Sequence, residues 1–157
     1  MTEYKLLIGD DTFEDHGAAK PAIFNILLAM WDVSGKQRPG PVRLSQEGDA
    51  YVCNVTPLDA SIRVETAKTV DETIAKAFNQ YDWVVTDLRY SSAEPMGGLR
   101  VINAVKHLKN SVKAICTSND PKTLDGIVNS RADYVVSHPD DKFSELGKVI
   151  MEHYMKK

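Results

Sequence analysis

The chain has 157 residues, 43% of them apolar and 26% charged, which suits one globular domain with room for a core. Its net charge of −3 argues against a general nucleic-acid binder. Two cysteines, Cys53 and Cys116, make neither a disulfide framework nor a zinc spacing; there is no signal-peptide pattern at the N-terminus, and the longest apolar stretch, residues 22–31, is too short to span a bilayer, so a cytoplasmic protein is expected.

Residues 4–9 (Tyr-Lys-Leu-Leu-Ile-Gly) read as a first strand, followed by a polar loop over 10–19. Pro21 suits the first turn of a helix, and Ile23, Leu27, Met30 and Trp31 fall at helical spacing, with Phe24 and Leu28 widening the stripe. A helix this apolar is buried against the sheet or covered by a partner. Gly35 to Pro41 breaks the pattern. Two strand-like pieces, residues 50–55 and 61–65, flank Thr56-Pro57-Leu58-Asp59 and suggest a hairpin or strand pair. A helix is expected over 71–80, a strand over 83–86 and a helix over 99–108 with Leu99, Ile102, Val105 and Leu108 inward. Val112 to Cys116 is a strand, Pro121 opens another helix to about Ser130, and residues 133–136 form the last strand. Phe143, Leu146, Val149, Ile150 and Tyr154 line a final amphipathic helix ending in Lys156 and Lys157, which suit the negative end of its dipole. Strand and helix alternate, so a parallel sheet with right-handed crossovers, covered on both faces, is expected within a single domain over 1–157.

Two of these strands end abruptly in acid. The first runs into Asp10-Asp11, and Trp83-Val84-Val85-Thr86 runs into Asp87. The carboxyl ends of parallel strands open onto the ligand crevice. Three carboxylates delivered there make an oxygen-ligand site for a hard divalent cation such as Mg²⁺. The bland reading is that these residues cap adjacent loops and helices, where Asp is common.

Asp10-Asp11 after the first strand, Asp87 after the third, Met96-Gly97-Gly98-Leu99 at the start of the following helix, Thr117 after Ala114-Ile115-Cys116, and Ala132-Asp133-Tyr134-Val135-Val136-Ser137-His138-Pro139 together resemble the receiver domain of a two-component response regulator. The resemblance implies a flavodoxin-like, doubly wound sheet of five parallel strands in the order 2-1-3-4-5. It also implies Mg²⁺ held by Asp10, Asp11, Asp87 and the backbone carbonyl of Arg89, with Asp87 as phosphoacceptor and Thr117 donating to the phosphoryl group. Three departures stand out. The family's lysine is missing before Pro139, where His138 or Ser137 sits according to whether the proline or the tyrosine is aligned; His138 becomes the candidate phosphoryl contact. The loop from Asp87 to Gly98 is about three residues longer than usual. Residues 35–61 form an insertion between the first helix and the second strand of the pattern.

The reading is an atypical receiver domain that stands alone, with no output domain after residue 157. Its expected partners are a histidine kinase or phosphotransfer protein upstream and an effector or a second copy downstream, through the surface formed by residues 121–155. Neither membrane nor direct nucleic-acid binding is expected, and the domain accepts a phosphoryl group rather than turning over a substrate. Two alternatives stay open. One is a phosphorylation-independent interaction module that uses the insertion. The other is a small metal-dependent enzyme, for which His16 is the only base in view. A dehalogenase-like phosphatase would want a second Asp where Arg89 stands, and neither a Gly-x-x-x-x-Gly-Lys loop nor a Gly-x-Ser-x-Gly elbow is present.

Overall fold

The computed structural model describes residues 2–38, 40–55, 59–91, 93–108, 112–118, 131–137 and 141–155, with the side chains of Tyr154 and Met155 set aside. The expected helix from Pro121, the Thr56-Pro57-Leu58 turn, His138 with Pro139, and the two C-terminal lysines lie outside the described residues.

The described strands form one seven-stranded sheet. In chain order they are β1 (Thr2–Gly9), β2 (Ser45–Glu47), β3 (Ala50–Val55), β4 (Ala60–Ala67), β5 (Trp83–Asp87), β6 (Lys113–Ser118) and β7 (Tyr134–Ser137). Their spatial order is β2-β3-β4-β1-β5-β6-β7. From β4 to β7 all neighbours are parallel, and these five strands follow the 2-1-3-4-5 winding that the sequence leads one to expect. The difference lies at one edge, where β2 and β3 add two antiparallel strands to β4. The sheet is therefore mixed. Val, Ile, Tyr and Thr in alternation make residues 50–67 a strand pair, and Gly48, at φ 60°, turns β2 into β3.

β1 lies at the centre, and its Leu6-Leu7-Ile8 run is apolar at every position because both faces of the sheet are covered. Side chains alternate across the strand. Leu6 and Ile8 join a core with Trp83, Val85 and Ile115 under α1 (Ala19–Ser34) and α4 (Lys142–Met155). Leu7 joins Val84 under α2 (Val70–Ala77) and α3 (Gly97–Leu108), whose Val70, Val101 and Val105 close that face.

The apolar α1 finds its cover inside the chain. Ile23, Ile26, Leu27 and Met30 are fully buried, sharing one core with Leu146, Ile150 and Met151 of α4 and with Cys53, Val55, Ile62 and Val64 of β3 and β4. The two added strands thus widen the floor on which α1 rests, and its stripe needs no partner protein to account for it. Gly35 ends the helix in the left-handed conformation at φ 69°. α2 is capped by Thr69, whose hydroxyl accepts from the Glu72 N–H at 3.1 Å, and Asp71 and Glu72 in its first turn complement the helix dipole.

Candidate metal and phosphoryl site

The carboxyl ends of β1 and β5, neighbours in the sheet, bring Asp10, Asp11 and Asp87 together. One carboxylate oxygen from each lies within 4.8 Å of the others. Asp10 is almost completely buried, at 1% exposure. Its backbone N–H donates to the Ala67 carbonyl at 2.9 Å, and its Oδ1 accepts from the Thr12 N–H at 3.0 Å. That second bond caps the short 3-10 turn Asp11–Glu14, so the bland capping role of Asp10 is real. It occupies one oxygen only.

The other oxygen, Oδ2, lies 2.5 Å from the ammonium of Lys142, which is also 3.8 Å from Asp87 Oδ2. Lys142 is the first residue of α4. A cation at a helix N-terminus opposes the dipole, and this one is also mostly buried. The neighbouring Phe143 ring lies 5.4 Å from the ammonium, and the pocket carboxylates supply its countercharge. The chain thus carries a lysine ammonium in the pocket, although neither Ser137 nor His138 supplies it. Ser137 is exposed at the end of β7, and His138 is outside the described residues. The sequence reading looked only at the residue before Pro139. The missed signal was Asp140-Asp141-Lys142-Phe143, a lysine at the wrong end of an amphipathic helix.

One ammonium does not balance three carboxylates. Burial raises the carboxyl pKa of Asp87, the Asp10 charge adds to this, and Lys142 only partly opposes it, so the group is pushed up to about 7. Asp11 is also raised, by burial first and then by Asp10. Burial works to lower the pKa of Lys142, but Asp10 and Asp87 outweigh it and hold the amine above its ordinary value. The donor set is all oxygen, partly buried and short of positive charge, which fits a hard divalent cation.

Thr117 stands opposite Asp87 in the β5–β6 ladder and is buried at 3% exposure. Its carbonyl accepts from the Leu88 N–H at 2.9 Å. Arg89 is exposed, two residues beyond Asp87. Gly98 lets α3 begin against the pocket: a Cβ there would sit 2.2 Å from the Asp87 carbonyl oxygen, and its N–H donates to the Leu88 carbonyl at 2.9 Å. His16 is exposed and lines a different cleft of about 310 Å³ with Phe13, Tyr51 and Lys68. Tyr134 packs against Trp83 at 6.1 Å between ring centroids, and its hydroxyl lies 3.0 Å from His153 Nδ1. His153, which reads in the sequence as a bystander on a polar face, is therefore part of that aromatic cluster, while His107 is exposed.

No family model matches the sequence, and no curated protein matches it. Solved structures do. The response regulator TrrA of Thermotoga maritima, solved in complex with Mg²⁺-BeF, is 19% identical with a TM-score of 0.56, covering 95% of this chain and 97% of its own. The phosphorylated cyanobacterial phytochrome response regulator RcpA is 12% identical with a TM-score of 0.59, covering 98% and 95%. A response regulator receiver domain from Clostridium thermocellum is 14% identical with a TM-score of 0.54, covering 98% and 94%. Each is similar along nearly its whole length, and the chain accordingly has the fold of a response-regulator receiver domain.

Proposed function

We propose that the chain is a Mg²⁺-dependent phosphoacceptor domain of two-component signalling, with Asp87 as the acceptor. The observation that carries this reading is the convergence of Asp10, Asp11 and Asp87 with the Lys142 ammonium at the carboxyl edge of the sheet, beside Thr117. Asp10, Asp11, Asp87 and the Arg89 carbonyl would hold the metal. Bound Mg²⁺ supplies charge neutralisation for the carboxylates and for the incoming phosphoryl oxygens. An Asp87 oxygen attacks phosphorus in line; an Asp87 O–P bond forms as the bond to the donor's leaving group breaks. Lys142 leaves its ion pair with Asp10 and Asp87 to pair with the phosphoryl oxygens, and the Thr117 hydroxyl donates to one of them. Catalysis is positioning and charge balance, so the cation's origin on α4 rather than in the preceding loop does not matter to the chemistry.

The donor is a histidine kinase or phosphotransfer protein of the cytoplasm. The output is a contact with an effector protein. No described helix is long and apolar enough to cross a membrane.

A second reading, an interaction module that ignores phosphorylation, has one observation in its favour. The insertion extends the sheet through β2 and β3, and all three residues of β2 are exposed at its edge.

Calorimetric titration with Mg²⁺ tests the metal half of the proposal. We expect one ion per chain, with Asp11→Asn weakening the affinity by more than the roughly tenfold typical of losing an outer-shell partner. A folded wild-type protein that takes up no Mg²⁺ would remove the basis for the phosphoacceptor reading.

A further inference from the structure

The loop that leaves Asp87 is gripped from beneath. Leu88 and Tyr90 are buried, at 1% and 3% exposure, while Arg89 between them is exposed. Leu88 is fixed through its backbone, by the Thr117 carbonyl on one side and the Gly98 N–H on the other. Tyr90 is fixed mainly through its phenol. Its hydroxyl lies 2.7 Å from Thr86 Oγ1 and 3.2 Å from Thr73 Oγ1, in the layer under the acidic pocket.

Three hydroxyl protons serve four contacts here. The Thr86 hydroxyl lies 3.0 Å from the Asp87 carbonyl and the Thr73 hydroxyl 2.7 Å from the Thr69 carbonyl, and across each contact with Tyr90 either hydroxyl can donate. A chain of hydroxyls thus runs from the cap of α2, through Tyr90 and Thr86, to the backbone of Asp87.

Gly9 makes room for it. A Cβ at Gly9 would lie 2.2 Å from the Tyr90 hydroxyl and 2.4 Å from Thr73 Oγ1. The residue directly before the acidic pair is glycine because the phenol occupies the space of its side chain. Four positions on β1, α2, β5 and the loop after it are fitted to one another here.

We propose that Tyr90 is a positioning residue for the acidic pocket: its phenol, hydrogen-bonded to Thr86, holds the Asp87–Arg89 backbone so that the Asp87 carboxylate and the Arg89 carbonyl meet the same cation. This rests on the metal reading above. Arg89, exposed and with no hydrogen bond or ion pair among the described residues, takes its place from the buried residues on either side. The aromatic ring supplies the anchor, its hydroxyl reaching back to Thr86 of β5 and across to Thr73 of α2.

The test is Mg²⁺ calorimetry on wild type, Tyr90→Phe, Thr86→Val and Thr86→Ser, each also unfolded thermally without metal. Tyr90→Phe keeps the ring in its slot and removes only the hydroxyl. We expect Tyr90→Phe and Thr86→Val to weaken Mg²⁺ binding about tenfold or more, as loss of an outer-shell partner does, and Thr86→Ser to retain wild-type affinity because it keeps the hydroxyl. Wild-type affinity in folded Tyr90→Phe overturns the inference and leaves the metal reading standing. If Tyr90→Phe does not fold, the Thr86 pair decides, and equal affinity in Val and Ser variants overturns it. If wild type itself binds no Mg²⁺, the metal reading falls and this inference falls with it.

Discussion

Asp87 is the residue on which the site's energetics turn. With its carboxyl pKa near 7 in the folded chain and 3.8 ordinarily, the folded protein keeps a proton that the unfolded chain has released between about pH 4 and pH 7. Folded-state proton uptake exceeds that of the unfolded state in this window, so the stabilising contribution is full below pH 4 and is lost as pH rises through 7. We expect the metal-free protein to lose thermal stability from pH 5 to pH 8, and Asp87→Asn to flatten that slope. Mg²⁺ prefers the ionised carboxylates, so its stabilisation should grow over the same interval. Thermal scans at several pH values, with and without Mg²⁺, read both effects; a wild-type slope equal to that of Asp87→Asn would show that the carboxyl is not strained by its neighbours. The three carboxylates were legible in sequence because each ends an apolar run, and strand ends are fixed by the pattern of burial. Lys142 was not, because its partners lie far away in the chain and meet it only once α4 packs on α1.

The elements explain how distant parts of the chain come together at the pocket. β1 and β5 deliver the acids, β6 delivers Thr117, and α4 delivers the cation. The opposite ends of the strands are tied independently of the site. Lys106, in the last turn of α3, reaches Asp133 Oδ2 at 2.5 Å and the Val112 carbonyl at 2.7 Å, and Asp133 accepts from the Ala114 N–H at 2.8 Å. This clamp joins α3 to the starts of β6 and β7. Lys106→Met should cost about 2 kcal/mol, less than the loss of one partner from a fully buried pair because Asp133 is partly exposed. That is a fall in Tm of roughly 4–8 °C for a chain of this size. Mg²⁺ affinity should not change, and a weakened affinity would mean that the two ends of the sheet are coupled. The strand pair of residues 50–67 was legible from alternation and β-branched content. That it would join the same sheet was not, since alternation fixes the faces of a strand and says nothing of which edge it finds. On the other edge, Arg63 of β4 pairs with Glu3 at 3.6 Å and with Glu47, linking the added strands to β1.

At the scale of the whole molecule, strand–helix alternation pointed to a parallel sheet, and the winding of its five parallel strands was implied by the receiver resemblance that the acid, glycine-pair, hydroxyl and tyrosine motifs carry. What could not be read is which element supplies the cation and what lies under the pocket, since Lys142 of α4 and Tyr90 meet Asp10 and Thr86 only in the folded chain. The most direct measurement of the functional proposal is intact-mass spectrometry after incubation with Mg²⁺ and acetyl phosphate, on wild type, Asp87→Asn and Lys142→Met. We expect a labile gain of one phosphoryl group (about 80 Da) in wild type, none in Asp87→Asn, and a slower gain in Lys142→Met. An equal gain in wild type and Asp87→Asn, or none in folded, Mg²⁺-loaded wild type with either acetyl phosphate or a histidine kinase as donor, would contradict Asp87 as the acceptor.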